Sequence, residues 1–238
     1  MYPINPQTAV VEAGTHLIID ALICPDKIGE RVRSKKLLRS VSKGMLLMWD
    51  RGLHSYVMVM TTLSQGADYL GRMPKNVKFP VDKVLEDGSY LSWIAPDGKS
   101  QKKGASKIMV RVIEYTIEND GEPVIYRLIT SLLDSIAFPA LVLAMEYHKR
   151  WEVESTLDEL KVHLLGRKTL IRSLNPREVV QEVYGWLLGY WAIRSLMFQV
   201  AEQADISPLR LSFTGTLNIV RRAVPKFQRL ELTDIPFF

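Results

Sequence analysis

The chain has 238 residues, with 31 Lys and Arg against 26 Asp and Glu and a formal charge of +5. Its 47% apolar and 24% charged content excludes wholesale disorder, and the length suits one large domain, or one domain carrying an insertion. A single cysteine, Cys24, excludes a disulfide framework and multi-cysteine metal sites; no apolar run nears the ~18 residues of a membrane span, and Met1–Pro6 lacks secretory features, so a cytoplasmic protein is expected.

In chain order, Ala9–Ala13 and Leu17–Ile23 are β-prone runs separated by Gly14-Thr15, a hairpin pattern. Gly29–Lys43 places Val32, Leu37, Leu38 and Val41 among six cations, which predicts a helix with a basic outer face. That face suits phosphate contact and equally suits plain solvation. Met45–Trp49 is a continuous apolar run, the mark of a strand buried on both faces, and it ends at Asp50-Arg51-Gly52. A helix over Tyr56–Gln65 and a strand over Ala67–Met73 follow.

From Pro74 to Pro123 the turn pairs Asp87-Gly88, Asp97-Gly98 and Asp120-Gly121 punctuate β-prone stretches at Tyr90–Ile94 and Ile108–Ile117. This block reads as an all-β insertion. Val124–Leu133 is a further strand. Helices are predicted over 139–164, 176–204 and 211–223, the last ended by Pro225, with Pro139 and Pro176 in first-turn positions. Trp186–Trp191 on the second of these reads as core. The fold class is α/β, with a β-rich insertion before a helical end.

Two features carry chemistry. Asp50 follows an apolar strand, where α/β sheets hold ligands and metals; capping of the next turn is the plainer account. On the segment Tyr147–Lys161, a wheel of ~100° per residue puts Tyr147, Arg150, Glu154 and Lys161 within an arc of about 60°. A carboxylate among cations and a phenol suits a metal-bound phosphodiester, while an ordinary Arg150–Glu154 pair at i, i+4 is the plainer account. His16, His54, His148 and His163 have no ligand-like spacing; His54 stands four residues after Asp50.

The spacing Tyr147-x2-Arg150-x3-Glu154-x6-Lys161 resembles the signature of bacterial insertion-sequence DDE transposases of the insertion-sequence-four family. Asp50-Arg51-Gly52, the segments Ala67–Arg72 and Tyr126–Asp134, and Ser212-Phe-Thr-Gly are similar to the same family. The resemblance covers about residues 9–225. It implies an RNase H-like mixed sheet flanked by helices, and metal-dependent strand cleavage and transfer at transposon ends by in-line phosphoryl transfer. Two Mg²⁺ or Mn²⁺ ions would be held by two aspartates and a glutamate, one activating water or a DNA 3′-hydroxyl and the other stabilising the leaving oxygen. By this likeness Asp50 is the second aspartate and Glu154 the glutamate, both catalytic metal ligands. Tyr147, Arg150 and Lys161 would contact phosphates. Arg72 would touch DNA near the site, and Tyr126 would stack on a flipped base; an ion pair and cross-strand packing are their plainer uses.

The implied layout is residues 1–73 for the amino-terminal part of the catalytic domain, 74–123 for the insertion, 124–225 for the remainder with the carboxy-terminal helices, and 226–238 for a tail. One departure stands out. Residues 1–19 contain no aspartate, their only acid being Glu12, and the 29 residues between Asp20 and Asp50 are too few for the strands the fold demands. The expectation is a sheet lacking its first strand and a chain catalytically silent, or nearly so, by itself. The alternative is a non-catalytic remnant that binds DNA or pairs with an intact copy. Expected partners are DNA, at transposon ends and target, and a second copy in a homodimer, with no membrane.

Overall fold

In the computed structural model, which describes residues 8–24, 28–74, 76–96, 104, 106–119, 122–166, 171–173 and 175–227, two compact units are formed. One is Asp26–Trp151; the other joins Met1–Pro25 to Glu152–Phe238.

The Asp26–Trp151 unit is built on a six-stranded mixed sheet. Its strands are β3 (Leu46–Trp49), β4 (Asp68–Arg72), β5 (Lys83–Val84), β6 (Tyr90–Ile94), β7 (Ile108–Asn119) and β8 (Glu122–Thr130), in the order β3-β4-β8-β7-β6-β5. Only β3 and β4 run parallel; α2 (Tyr56–Ser64) links them, and the Ser55 hydroxyl caps its first turn by accepting from the Met58 amide. The alternation along β4, β7 and β8 sorts side chains to two faces. Tyr69, Val112 and Ile129 pack with Tyr56 and Val59 of α2, while Leu70, Ile113 and Leu128 pack with Leu143 and Tyr147 of α3 (Ala140–His148). Helices thus cover both faces, and the α/β class holds. The strands of the 74–123 block extend this same sheet.

β3 departs from expectation. Its run of apolar residues predicts burial on both faces, yet Leu46, Leu47 and Met48 are half-buried and only Trp49 is buried. The strand lies at the sheet's edge. Its indole stacks on Tyr69 with ring centroids 4.9 Å apart and planes 5° from parallel. It also lies over Gly71, the residue paired with Trp49 across the strands, where any added Cβ would collide with Nε1. Close approach of that ring is why position 71 is glycine.

Arg111 of β7 is fully buried. Its Nε donates to Ser89 Oγ at 2.7 Å and Nη1 to the Phe138 carbonyl at 2.6 Å, while Nη2 pairs with Asp87. The same Asp87 carboxylate accepts the Ala140 amide at 2.9 Å, so a side chain from the β5–β6 turn caps α3, whose own N-cap, Pro139, has no capping side-chain bond. Burial raises the Asp87 pKa, but the hydrogen bonds of Ser89 and Ala140 and the Arg111 charge outweigh it and hold the carboxyl below 3.8.

In the other unit, β1 (Thr8–Val11) and β2 (Ile18–Leu22) form an antiparallel hairpin. Its turn places His16 at φ +61°, a conformation that costs a non-glycine residue energy. Buried hydrogen bonds hold it there. Arg194, having only donors, gives Nη2 to His16 Nδ1 at 2.6 Å, so the ring proton sits on Nε2 and is donated to Glu152 at 2.7 Å. Glu159 pairs with Arg194 and accepts from the Tyr190 hydroxyl at 2.8 Å. The helices are α4 (Glu152–Asp158), α5 (Pro176–Gln203) and α6 (Phe213–Phe227), with Tyr190, Met197, Phe213 and Leu217 in the core. Asn175 caps α5 with Pro176 at its first position. α6 runs through Pro225 rather than stopping before it. In the Trp186–Trp191 stretch, Tyr190 is core and Trp186 packs against it, but Trp191 is exposed. Among the described residues no helix is long and apolar enough to cross a membrane.

The predicted helix over 139–164 is not uniformly wound. Lys149–Trp151 is 3₁₀ and Glu159–Leu164 is π. The ~100° step behind the shared arc of Tyr147, Arg150, Glu154 and Lys161 therefore does not apply through those turns.

Each buried arginine depends on its carboxylate. Asp87→Ala should destabilise the protein by about 3 kcal/mol, because Arg111 is left buried without its counter-ion. Since the folded pKa of Asp87 lies below its unfolded value, its contribution is present above that value and lost as pH falls beneath about 4; acid melts of the variant should be flatter there than those of the wild type. Glu159→Gln should also destabilise. Burial raises the Glu159 pKa, and the hydrogen bonds of Arg194 and Tyr190 with the Arg194 charge overcome this to lower it. Denaturant titrations between pH 3 and 7 check both.

Candidate active site

Asp50 leaves β3 at its carboxyl end, half-buried. Its Oδ1 accepts the Arg51 amide at 2.7 Å and its carbonyl accepts the Leu53 amide at 3.0 Å, so a tight turn sets the carboxylate's direction. Arg31 of α1 (Glu30–Leu37) closes that turn from outside, donating Nε to the Gly52 carbonyl at 2.6 Å. His54, at the end of the turn, is pushed down to about 4 by burial and by the Arg31 charge, and among the described residues its buried Nδ1 has no partner.

Tyr147 reaches the same strand end. Its hydroxyl donates to the Trp49 carbonyl at 3.3 Å, and the side chain is buried, 3% exposed. Burial raises its pKa first; Arg150 and Arg72 oppose this, and Asp50 adds to it. The phenol expected at a phosphate is thus engaged with the backbone beside Asp50. Arg150 lies 5.9 Å from the centre of the Tyr147 ring and 5.1 Å from that of Trp151.

Arg72 and Tyr126 are brought together. The guanidinium carbon lies 4.0 Å above the Tyr126 ring, and Tyr115, the direct cross-strand partner of Tyr126, stacks on it at 5.4 Å. The Tyr115 hydroxyl lies 3.3 Å from His148 Nε2. Burial pushes Tyr115 up to about 12, helped by Tyr126 and opposed by Arg72. With Arg72 and Tyr115 both stacked on Tyr126, a base reaching that ring must displace one of them or stack on the guanidinium instead.

Glu154 and Lys161 belong to the other unit. Glu154 is exposed on α4, while Glu152 of the same helix is held by His16 and Thr156 Oγ1 bonds the Glu152 carbonyl at 2.7 Å. Lys161 is half-buried in the π turn.

Asp50 and Glu154 are hard oxygen donors of the type Mg²⁺ and Mn²⁺ take. Among the described residues no three His, Cys, Asp or Glu side chains cluster as a ligand set. Two carboxylates supply only part of the oxygen ligands that such an ion takes. Sequence reasoning does not foresee the Arg31–Gly52 bond, nor Tyr115 and His148 beside Tyr126. The first crosses 21 residues without a pattern; the pairing of Tyr115 with Tyr126 follows only once the β7–β8 register is known.

A turn-held aspartate thus follows β3, and a buried tyrosine braces the strand end beside it. The family model of the transposase DDE domain matches residues 7–191, and the chain belongs to that family. It is 25% identical over 242 aligned residues to the transposase InsG of insertion sequence element IS4 from Escherichia coli (strain K12). That match takes in 99% of this chain and 54% of the relative, so the chain spans about half the relative's length.

His54 titrates in a window that tests this geometry. Its folded pKa lies below the unfolded value of 6.5, so the unfolded state binds the extra proton first and stability falls as pH drops from 6.5 toward 4. An NMR titration of the ring should give a midpoint near 4, and His54→Gln should flatten the pH dependence of stability across that window. A midpoint near 6.5 would mean that the ring is solvated.

Proposed function

We propose that this chain is the catalytic-domain portion of an insertion-sequence DDE transposase, whose whole protein cleaves and joins DNA at transposon ends by in-line phosphoryl transfer. The observation that carries the reading is the turn-held Asp50 at the end of β3 with Tyr147 bonded to the preceding carbonyl. In this reading Asp50 and Glu154 are catalytic carboxylates of the family's metal-binding set, with Mg²⁺ or Mn²⁺ as the ion. Arg150 and Lys161 meet phosphate oxygens. Tyr147 props the strand end, and Arg72, stacked on Tyr126, presents a planar cation to a base or phosphate near the site.

The sheet is read as RNase H-like with the 74–123 block as its insertion, within the 1–73, 74–123, 124–225 and 226–238 layout. The edge position of β3 supports a further strand beside it, and residues 1–19 offer no aspartate for the family's first position. The isolated chain is therefore catalytically silent or nearly so. A second reading, a remnant that binds DNA or pairs with an intact copy, rests on that same lack. Self-association as a dimer and a cytoplasmic location accompany both readings.

Incubated with Mn²⁺ and a labelled duplex carrying the terminal repeat of its own element, the purified chain should leave the DNA intact. Cleavage abolished by Glu154→Gln would refute the silence. Where the chain does cut, Asp50→Asn or Glu154→Gln should lower the rate by more than about 100-fold, beyond what losing an outer-shell partner costs. An Asp50→Asn chain that cuts at the parent's rate would remove Asp50 from the chemistry.

A further inference from the structure

The positive charge of the molecule is not spread over its surface. Residues 30–43 carry six cations and one acid, a net charge equal to the +5 of the whole chain, so the remaining sequence is neutral in sum. This segment folds as α1 and a 3₁₀ turn (Leu38–Ser40). Its inner side is fixed: Leu38 and Val41 are buried with Met58 and Ala67, and Ser34 and Leu37 are buried as well. Its outer side is Arg31, Lys35, Lys36, Arg39 and Lys43, all of them exposed. Arg31 and Lys35 stand one turn apart on α1 and Arg39 follows in the 3₁₀ turn, a stretch about 12 Å long at 1.5 to 2 Å per residue. Lys35 and Lys36 make no ion pair among the described residues. The stripe also has a direction, since Arg31 is bonded to the turn that follows Asp50.

We infer that the outer face of α1 is a track for the phosphate backbone of duplex DNA, sequence-independent, running along the helix to the Asp50 turn. Several considerations select this occupant. A rigid row of cations with an apolar underside matches a polyanion of regular spacing; 12 Å spans about three to four phosphates of one strand at 3.4 Å each. Contacts from such cations to phosphate oxygens carry no sequence information. The inference rests on the reading of Asp50 only for where the track leads. Binding by α1 is separable from the chemistry, because neither Asp50 nor Glu154 takes part in it.

The test uses the full chain and a fluorescent 30-bp duplex of random sequence, with anisotropy read from 50 to 300 mM salt. The triple variant Lys35→Gln/Lys36→Gln/Arg39→Gln should bind at least about tenfold more weakly at 100 mM, and its slope of log K against log salt should shrink by about 2 to 3, near 0.9 for each phosphate no longer neutralised. A control of equal net charge, Lys78→Gln/Lys83→Gln/Arg177→Gln, removes cations outside α1 and should keep most of the slope. Circular dichroism melts confirm that both variants fold. If both variants lose the same slope, diffuse charge is responsible and the track is refuted, while the proposed function stands. If the α1 variant matches the wild type, the track is likewise refuted. If polyglutamate at equal charge competes as well as DNA, the face takes an acidic polypeptide instead. If the chain binds no duplex at any salt, the track fails and the transposase reading loses its DNA partner with it.

Discussion

The position of Asp50 depends on how the last residue of β3 is held. Trp49 is gripped on three sides: its indole lies flat on Tyr69, it covers the bare Cα of Gly71, and its carbonyl receives the Tyr147 hydroxyl. An edge strand without such fastening would fray, since only one of its backbone edges is paired. The carboxylate that follows inherits this rigidity through one further turn, closed by the Arg51 amide and by Arg31. A catalytic group has to be held to within about half an ångström to be useful, and elements supply that better than loops. Here the element is a strand end braced by a helix.

The same physics recurs at two buried arginines, one in each unit. Arg111 joins a hairpin turn, a loop carbonyl and the start of α3; Arg194 joins a strained hairpin residue to the helical segment carrying Glu159. Neither is economical as a source of stability, because a buried ion pair roughly repays its own desolvation. What a guanidinium offers is five donors in a fixed plane, so several backbone segments must meet at one geometry. In the Asp26–Trp151 unit that geometry sets the start of α3, and α3 in turn delivers Tyr147 to Trp49. The strands of the 74–123 block are therefore coupled to the candidate site through Asp87, and β7 also places Tyr115 against Tyr126.

Much of this is legible in the sequence because it is local. The turns at Gly14-Thr15 and Asp87-Gly88, the first-turn Pro176 and the β-prone runs of β7 and β8 are short-range patterns, and the structure places them where the pattern does. Pro139 falls one position earlier, at the N-cap of α3, and Asp97-Gly98 and Asp120-Gly121 lie outside the described residues. Asp50 is legible as the end of an apolar run. The departures have distinct causes. Leu46–Met48 looks doubly buried because periodicity reports apolarity, whereas edge position is set by which strands happen to pair. Residues 139–164 look uniformly wound because nothing in composition marks a 3₁₀ or π turn. Pro225 predicts an end to α6, yet a proline in a last turn forfeits only one hydrogen bond where the helix is already fraying. Tyr126 looks available for a base because its stacking partners, Tyr115 and Arg72, stand far from it along the chain and meet it only through the sheet.

Charge and chemistry are distributed differently over this molecule. The unit Asp26–Trp151 holds α1 with its cations, the Asp50 turn, the Arg72–Tyr126 stack and Arg150, whereas Glu154 and Lys161 lie on the other unit. Phosphate attraction needs only a row of cations and tolerates ångström-scale misplacement, because it is long-ranged within a Debye length and weakly directional. Phosphoryl transfer needs several oxygen ligands at about 2.1 Å around an ion and forgives almost nothing. In the proposed reading, the carboxylates therefore have to be placed far more exactly than the cations of α1. The cations of α1 lie in the Asp26–Trp151 unit, the unit that Arg111 and Trp49 hold together.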